Sequence, residues 1–310
     1  MWNMNTIAYL THPDCLAHNM GPQHPEQPER VRAIAHRLLI TGLLDHLDHF
    51  AAPLATDAQI TACHSPEYLQ FLQDRTPAQG MVPLDEDTFL TPHTLVAARR
   101  AAGAAVLATD LVLAKKYQRA YCNVRPPGHH ASRSQAGGFC FFNNVVVGIY
   151  HALAGGINRI ALVDFDVHHG NGSEEILAGE NRVLMLSTYA RQLYPYGQPA
   201  LGGNMINVDL AAGADGTALR HAVERHWLAA LDQFRPQVLF ISAGFDAHFQ
   251  DDLGNLQWLP EDYAWLTQQL VAMANRHCEG RIISVLEGGY NLEALARCAA
   301  VHVQGLLEHL

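Results

Sequence analysis

Two aspartates and two histidines follow an apolar run within ALVDFDVHHGNG, residues 161–172. A buried strand does not tolerate such groups unpaired, and a solvated loop does not need four of them. Asp166 and His168 lie two positions apart, so an extended backbone points both side chains to one side, and Asp164 shares that parity. Together with Asp246, which follows another apolar run, these residues predict a three-ligand metal site with room for water, as catalytic zinc requires.

The donor types of this site limit the metal without fixing it. Mixed oxygen and nitrogen donors suit Zn²⁺, Fe²⁺ or Mn²⁺. The alternative is that the acids cap helices or accept hydrogen bonds from backbone amides. That alternative is the better interpretation of a single aspartate, whereas the grouping of acids and histidines favours a metal.

Two further motifs supply groups for acid–base chemistry. His129 and His130 follow a rigid Pro-Pro-Gly turn in RPPGHH. Imidazole has a suitable pKa for a general base or an electrostatic partner, provided that a carboxylate orients it. Tyr290 in EGGYN lies at a glycine-rich strand end, where a phenol can donate a hydrogen bond to an oxyanion. The alternatives are a turn with two exposed histidines and a tyrosine that only packs.

The aromatic segment GGFCFF comes directly after the histidine pair. Phe139, Phe141 and Phe142 are candidates for the wall of an apolar channel. Core packing accounts equally well for two of the three, so the segment predicts a channel only in part.

Short β-rich runs alternate with longer helical runs, which predicts a single α/β domain. Several β-rich runs are apolar on both faces, as in a parallel sheet covered by helices. The polar motifs each follow a predicted strand, so we expect them to meet at the carboxyl edge of the sheet. The longest predicted helix starts with a Thr91 cap and Pro92 at its first position. The predicted strands are 6–10, 120–124, 159–165, 182–188, 205–210, 237–244 and 281–288, and the predicted helices are roughly 27–40, 65–74, 92–116, 143–154, 215–234, 260–278 and 292–308.

The composition disfavours several classes of protein. Of the 310 residues, 49% are apolar and 16% are charged, and the formal net charge is −10. Such a chain is not held on nucleic acid by a general basic surface, although a cationic substrate is compatible with it. Its six cysteines show no CxxC spacing, which favours reduced thiols in the cytoplasm over a disulfide scaffold. The N-terminal residues lack a signal-peptide pattern and no apolar run has membrane-spanning length, so no membrane association is expected.

Taken in order, the motifs resemble those of one known family. RPPGHH, GFCFFNN, DFDVHHGNG, SAGFDAH and EGGYN occur as in the histone deacetylase and acetylpolyamine amidohydrolase family, and HPEQPERVRAI and HSPEYL match its pattern as well. The resemblance runs from about residue 7 to residue 305. It implies an arginase–deacetylase fold, with one catalytic domain over residues 1–310 and a mostly parallel sheet of eight strands flanked by helices. It also implies zinc-dependent hydrolysis of an N-acetyl amide to acetate and a free amine.

The resemblance assigns catalytic roles to particular residues. The implied metal ligands are Asp166, His168 and Asp246, with Zn²⁺ as the expected ion and Fe²⁺ as an alternative. His130 is the expected general base and acid, and His129 is its partner in the tandem pair. Asp164 is expected to orient His129, and Tyr290 to polarise the acetyl carbonyl from the side opposite the metal.

Other residues acquire supporting roles from the same resemblance. Gly138 and Phe139 resemble the wall of a substrate tunnel, and His169 is expected to support the ligand set. A structural potassium ion, bound largely by backbone oxygens, is expected near Asp164, Asp166, His168, Ser187 and Thr188.

Two loops depart from the family pattern and bear on the substrate. DAHFQDDLGN has Leu253 where polyamine-selective relatives carry Glu, so no carboxylate is offered there to a distant ammonium. This favours acetyl-lysine or another aliphatic acetylamide, with an acetylpolyamine amidohydrolase as the alternative. YARQLYPYGQP lacks the usual aromatic pair of the opposite wall, so Tyr194 or Tyr196 is expected to replace it.

Alternatives from other functional classes are weaker. A two-metal ureohydrolase on the same fold needs a second full ligand set, and the motifs fit one metal better. A non-enzymatic acetylamide-binding protein does not need every catalytic position to be filled, as it is here. The sequence is compatible with a homo-oligomer.

Overall fold

A parallel sheet forms the centre of the molecule, which a computed structural model describes over residues 6–196 and 201–308. In chain order, the strands are β1 (Ile7–Thr11), β2 (Leu47–Ala51), β3 (Val82–Pro83), β4 (Phe89–Leu90), β5 (Arg119–Cys122), β6 (Ile160–Asp164), β7 (Val183–Tyr189), β8 (Met205–Asp209), β9 (Val238–Ala243) and β10 (Ile282–Leu286). Eight of them form one sheet in the order β2-β1-β5-β10-β9-β6-β7-β8, and all neighbours in it are parallel. β3 and β4 form a separate antiparallel pair.

Helices cover both faces of this sheet, which is why its central strands are apolar on both sides. Along β6, Ile160 and Leu162 pack on one face of the sheet, in the core that includes the helices Thr94–Leu113 and Asn144–Ala154. Ala161 and Val163 pack on the opposite face, in the core that includes the helices Glu29–Ile40, Pro260–His277 and Leu292–Leu307. The helices are α1 (Glu29–Ile40), α2 (Asp57–Thr61), α3 (Pro66–Arg75), α4 (Thr94–Leu113), α5 (Asn144–Ala154), α6 (Asn171–Leu177), α7 (Gly216–Ala222), α8 (Leu228–Phe234), α9 (Pro260–His277) and α10 (Leu292–Leu307).

The predicted fold class is confirmed, and the sheet is entirely rather than mostly parallel. All seven predicted strands are present, but the eighth, β2, was missed. β2 is an edge strand with only one neighbour. Its sequence, LDHFA, therefore tolerates the adjacent polar residues Asp48 and His49, which hide the apolar pattern of a strand. The short helices α2 and α6 were also missed.

Two helix predictions differ from the structure. The prediction that Thr91 caps the longest helix, with Pro92 at its first position, is wrong. α4 begins at Thr94, and His93 before it makes no side-chain cap. The Thr94 hydroxyl instead accepts the N–H of Thr91 at 2.7 Å and bonds the buried His18 ring at 2.9 Å, so this segment is a turn. The helix predicted over 215–234 is divided into α7 and α8 by one turn of π-helix at Val223–Trp227.

The structure also bears on the expectations about membrane-spanning segments and about the cysteines. Within the described ranges, no helix is both long and apolar enough to cross a membrane. The six cysteines are all unpaired and buried. They therefore serve as small apolar residues in the core.

Gly103 gives a test of how α4 packs. Replacing a helical glycine by alanine ordinarily stabilises a protein by about 1 kcal/mol. Here an added Cβ would overlap the carbonyl oxygen of Pro53 and lie 2.9 Å from the backbone nitrogen of Ala55, neither of which is a flexible side chain. We therefore expect Gly103→Ala to destabilise the fold by roughly 1–3 kcal/mol. The measurement is the free energy of unfolding in urea.

A matched control is Gly203→Ala, because no atom lies within 4 Å of the added Cβ. This variant is expected to change stability by less than about 0.5 kcal/mol. If Gly103→Ala is as stable as the parent protein, the described approach of α4 to residues 53–55 is incorrect.

Candidate active site

The polar motifs meet at the carboxyl edge of the sheet, as the strand assignment predicts. β5, β10, β9 and β6 are consecutive neighbours in the sheet, and each runs directly into one of the motifs. The edge therefore brings together residues that are more than 160 positions apart in the chain.

Asp166, His168 and Asp246 form a compact group of possible metal ligands. One donor atom from each lies within 4.8 Å of the others. The His168 Nδ1 atom is 3.1 Å from Asp166 Oδ1 and 3.1 Å from Asp246 Oδ2. Both carboxylates are fully buried, and His168 is partly exposed. The three predicted ligands therefore face a common point.

The backbone fixes the two carboxylates of this group. Asp166 Oδ2 accepts the N–H of Gly288 at 2.8 Å, and Asp246 Oδ1 accepts the N–H of Val167 at 2.9 Å. A Cβ on Gly288 would lie 2.5 Å from Asp166 Oδ2, so glycine is required for this close approach. The alternative of amide-bonded acids is thus partly correct, since Asp166 accepts backbone N–H groups with both of its oxygens and Asp246 accepts one with Oδ1. Asp166 Oδ1 and Asp246 Oδ2 nevertheless also face His168 Nδ1.

The electrostatics of the group suit a divalent cation. Burial and the charge of Asp166 raise the pKa of Asp246 to about 7, because burial disfavours a carboxylate and a neighbouring carboxylate repels it. A cation between them removes that repulsion. Two carboxylates and one imidazole are a donor set that Zn²⁺ or Fe²⁺ accepts.

The tandem histidines have different partners. His129 Nδ1 lies 3.0 Å from Asp164 Oδ2, as expected. The carboxylate expected to orient an imidazole is absent at His130, whose Nδ1 lies 2.7 Å from the amide oxygen of Asn171. The Nδ1 partner of His130 is thus a neutral amide, whereas that of His129 is a carboxylate, so the two rings are electrostatically distinct.

The pKa values of the pair separate accordingly. Burial alone would lower the pKa of His129, but the carboxylates of Asp166 and Asp164 outweigh it and raise the pKa to about 10. Burial and the positive charges of His129 and His168 hold the pKa of His130 well below its usual value. His129 is therefore the cationic member, and His130 is the neutral member available as a base.

Tyr290 is held from two sides. Its backbone N–H donates to Asp251 Oδ2 at 2.6 Å, and the Arg30 guanidinium lies 4.9 Å from the centre of its ring. Arg30 also donates to the carbonyl oxygen of Gly289 at 2.6 Å. Burial raises the pKa of Tyr290 well above its usual value, so the phenol keeps its proton and can donate a hydrogen bond.

A cavity of about 270 Å³ leads from the surface to these groups. A Cβ on Gly138 would overlap the His130 ring, and its φ is +53°, so glycine is required at that point of the wall. Phe141 and Phe142 lie in the core, which leaves Phe139 as the one phenylalanine of its segment in the cavity wall. The lining includes every predicted tunnel residue, namely Gly138, Phe139, Tyr194 and Leu253, together with Tyr196, Asp87, His130, His168 and Tyr290.

This geometry agrees with the comparisons with known proteins. The Histone deacetylase domain model matches residues 24–306, which is most of the chain. The chain belongs to this family. Its members are zinc-dependent amidohydrolases that include deacetylases.

Individual relatives differ in length and in name. A "Probable deacetylase" from Archaeoglobus fulgidus is 35% identical over 294 residues, covering 91% of this chain and 80% of that protein. "Polyamine deacetylase HDAC10" from Homo sapiens is 34% identical over 323 residues, covering 97% of this chain and 48% of that protein. The crystal structure of the HDA15 HD domain has a TM-score of 0.91 at 30% identity, covering 98% of this chain and 88% of that one. Across curated relatives, the chain spans from 21% to 99% of their length.

Sequence reasoning missed several residues that support this histone deacetylase domain. Glu287 Oε2 accepts the N–H groups of Gly128 and His129 at 2.6 and 3.1 Å. It therefore fixes the loop over residues 125–130, called the histidine loop below. Asn171 orients His130, and Asp251 holds the Tyr290 loop. These residues lie inside or next to recognised motifs, but nothing in the sequence shows which hydrogen-bond donors they meet.

The N-terminal motif HPEQPER also has a structural explanation. Glu26 accepts two hydrogen bonds from Arg125, at 2.6 and 2.7 Å, and one from Arg30 at 3.2 Å. All three side chains are fully buried. Arg125 begins the histidine loop and Arg30 contacts Tyr290, so Glu26 links both halves of the site.

His169 was expected to support the metal ligands, but its side-chain contacts lie elsewhere. Its Nε2 is paired with Glu174, and its ring centre lies 4.6 Å from that of Tyr189. Glu174 also accepts the N–H of Leu201 at 2.6 Å. His169 therefore supports the loop that follows β7 instead of the metal ligands.

The metal site gives a direct binding prediction. Asp246→Asn keeps the hydrogen bond to the Val167 N–H but removes one charged donor. We expect it to weaken Zn²⁺ binding by at least about 100-fold, measured by calorimetric competition with a chelator. Asp252→Asn is the control, because Asp252 is an exposed acid on the same loop. Equal affinities of the two variants would contradict the ligand assignment.

Proposed function

We propose that this protein hydrolyses N-acetylated amines, with acetyl-lysine or a related aliphatic acetylamide as the preferred substrate. The observation that carries the proposal is the cavity of about 270 Å³, whose lining combines His130, His168 and Tyr290 with an apolar wall of Phe139 and Leu253. A pocket of this kind accepts an unbranched aliphatic chain and presents its terminal acyl group to the polar residues.

The roles of the chain's own residues follow from their partners. Asn171 offers an amide oxygen, so His130 Nδ1 donates to it and His130 Nε2 is free to take a proton from the attacking water. His130 then delivers that proton to the amine nitrogen, which is a poor leaving group until protonated. His129, kept cationic by Asp164, stabilises the negative charge that develops beside it, and the Tyr290 hydroxyl donates to the acyl oxygen.

Metal ions complete the proposed site. Zn²⁺ or Fe²⁺ held by Asp166, His168 and Asp246 would supply Lewis acidity, which polarises the acyl carbonyl and lowers the pKa of water. We also propose the structural potassium ion near Asp164, Asp166, His168, Ser187 and Thr188. In support, the hydroxyls of Ser187 and Thr188 are buried and have no hydrogen-bond partner among residues 6–196 and 201–308. Ser187 also lies opposite Asp164 in the sheet register.

An acetylpolyamine amidohydrolase is the second candidate. One relative is named a polyamine deacetylase, and Asp87 lines the same cavity as Leu253. Asp87 therefore offers near the mouth the carboxylate that Leu253 lacks. A two-metal ureohydrolase has less support, because residues 6–196 and 201–308 bring together a single group of three possible metal ligands.

Three broader proposals accompany this function. We propose that residues 1–310 form one catalytic domain, that it acts in the cytoplasm, and that its partners are acetylated amines instead of nucleic acids or membranes. The unpaired buried cysteines and the net charge of −10 support the last two. A homo-oligomer stays a prediction.

The first test uses three acetylamides side by side. We expect the zinc-loaded protein to hydrolyse an acetyl-lysine peptide with a kcat/KM at least tenfold above those for N-acetylputrescine and acetylspermidine. The released amine is measured in steady state. The reverse order would establish the polyamine function, and no turnover of any substrate would refute an amidohydrolase.

Tyr290→Phe tests the proposed polarisation of the acyl oxygen. Loss of the hydroxyl removes one donor from the developing oxyanion, so we expect kcat to fall by about 100-fold or more. The control is metal content, which should be unchanged because Tyr290 is not a ligand. A variant that keeps more than a tenth of the parent kcat would assign the tyrosine to packing alone.

A further inference from the structure

Phe139, the phenylalanine of the cavity wall, has a backbone conformation that this residue type rarely adopts. Gly137 and Cys140 exchange two backbone hydrogen bonds, at 2.9 and 3.1 Å, so residues 137–140 form a tight turn. Its central residues, Gly138 and Phe139, have φ values of +53° and +69°. Positive φ at both central positions is what a type I′ turn requires, and the second of them is usually glycine. A phenylalanine there persists only where the surrounding structure holds it.

The side chain of Thr88 is the first of these supports. Its hydroxyl oxygen accepts the N–H of Phe139 at 3.0 Å. The bonds within the turn do not use this N–H, which is buried, and a buried N–H without a partner is costly. The hydroxyl also donates to Asp87 Oδ1 at 3.1 Å, and the N–H of the fully buried Thr88 donates to Asp85 Oδ1 at 2.6 Å. The turn over residues 85–88, called the mouth turn below, therefore fixes the hydroxyl that holds the backbone of Phe139.

His24 is the second support, and it acts on the ring of Phe139. The two ring centres are 4.7 Å apart and the ring planes meet at 79°, which is an edge-to-face contact. His24 Nδ1 accepts the N–H of Glu26 at 3.1 Å, and His24 Nε2 donates to the carbonyl oxygen of Asp87 at 2.9 Å. The mouth turn thus holds the backbone of Phe139 through Thr88 and its ring through His24.

The ring held in this way belongs to the wall of the cavity and lies next to the proposed oxyanion donor. Phe139 lines the cavity, and its ring centre is 5.6 Å from that of Tyr290, again edge to face. Tyr290 has separate supports in Asp251 and Arg30. A shift of Phe139 would therefore change the width of the cavity while the phenol keeps its own contacts. The supports of Phe139 bear mainly on the binding of an aliphatic chain, and much less on the acyl group.

We propose that Thr88 is a positioning residue for the cavity, and that Thr88 and His24 together hold Phe139 against the aliphatic chain of the substrate. This inference rests on the proposed deacetylase function. It gives a role to the segment LDEDTF, residues 84–89, which lies outside the main sheet and outside the catalytic motifs. Binding of the chain thus depends on a hydroxyl that does not itself line the cavity.

The test compares Thr88→Val, which keeps the shape of the side chain without its hydroxyl, with Thr88→Ser, which keeps the hydroxyl. The substrate is the tripeptide Gly-Lys(acetyl)-Gly, because its short main chain limits contacts outside the cavity, and the protein is zinc-loaded. Each variant is also made in a Phe139→Ala background. Thr109→Val is the matched control, because Thr109 is a fully buried threonine whose hydroxyl donates to the carbonyl oxygen of Ala105 within α4.

We expect Thr88→Val to lower kcat/KM by at least about tenfold, with most of the loss in KM, because the chain loses a fixed wall. Thr88→Ser is expected to stay within about threefold of the parent protein, and Thr109→Val to leave both constants unchanged. In the Phe139→Ala background, Thr88→Val should lower kcat/KM by less than about twofold further, since the ring that it positions is absent. A general loss of stability would instead lower kcat/KM in both backgrounds.

His24→Leu tests the second support and keeps the inference open to refutation if Thr88→Val does not fold. It removes the contact with the Phe139 ring and the bond to the Asp87 carbonyl oxygen, but leaves the Thr88 hydroxyl in place. We expect kcat/KM to fall by at least about threefold, again mainly through KM, and this effect to disappear in the Phe139→Ala background. An equal effect in both backgrounds would show that His24 does not act through the ring.

Crystal structures of the two Thr88 variants supply a readout that does not depend on activity. In Thr88→Val we expect the φ of Phe139 to leave the left-handed region or its ring to leave the wall, and in Thr88→Ser we expect no change. The inference is overturned if Thr88→Val leaves Phe139 in place, matches the parent in kcat/KM, or loses as much in the Phe139→Ala background. If the parent protein turns over no acetylamide, the proposed function fails, and the structures still decide whether Thr88 holds Phe139.

Discussion

Carboxylates buried at one edge of the sheet are the constraint on which the rest of this structure depends. Asp164, Asp166, Asp246 and Glu287 are all fully buried, and each would be far more stable in water. Every one of them accepts at least one backbone N–H group. These bonds do not offset burial completely, since the pKa of Glu287 is raised to about 7, mainly by burial. Imidazoles and a divalent cation are the remaining means of compensation, so chemistry and stability share one set of groups.

A second buried charge cluster explains why residues distant in the chain keep their places around this edge. Glu26 lies between Arg30 and Arg125 and pairs with both, and the other N–H groups of the two guanidiniums donate to backbone carbonyl oxygens. Removing one partner of such a network exposes the others to the full cost of burial. Arg125 leads into the histidine loop, and Arg30 bonds the carbonyl oxygen of Gly289 beside Tyr290. The loop that carries His129 and His130 and the loop that carries Tyr290 are therefore positioned against each other by one carboxylate.

The sequence predicts most of this arrangement, for identifiable physical reasons. Strands buried on both faces are continuous apolar runs, and motifs at their carboxyl ends must converge, which is why the ligand group was predictable from the residues. The tunnel wall was predicted from the family resemblance. The edge strand β2 was missed because one neighbour imposes little apolar pattern on it. Asn171, Glu287 and Asp251 were missed because the role of a hydrogen-bond acceptor depends on the donor it meets, which is the His130 ring for Asn171 and backbone N–H groups for the other two. Those donors are brought near only by the whole fold. The sequence shows these acceptor residues, but it does not show which hydrogen-bond donors they meet.

The surface around the mouth of the cavity is less constrained by the core than the groups at the strand ends are. Catalytic residues follow buried parallel strands, so small changes in their spacing would disturb the core as well as the chemistry. Asp87 and its neighbours instead lie between the two-residue strands β3 and β4, outside the main sheet. Charge and shape can change there without affecting the buried carboxylates. The motifs at the strand ends therefore indicate the chemistry of the site, whereas the choice among acetylated amines depends on loops whose residues the motifs do not specify.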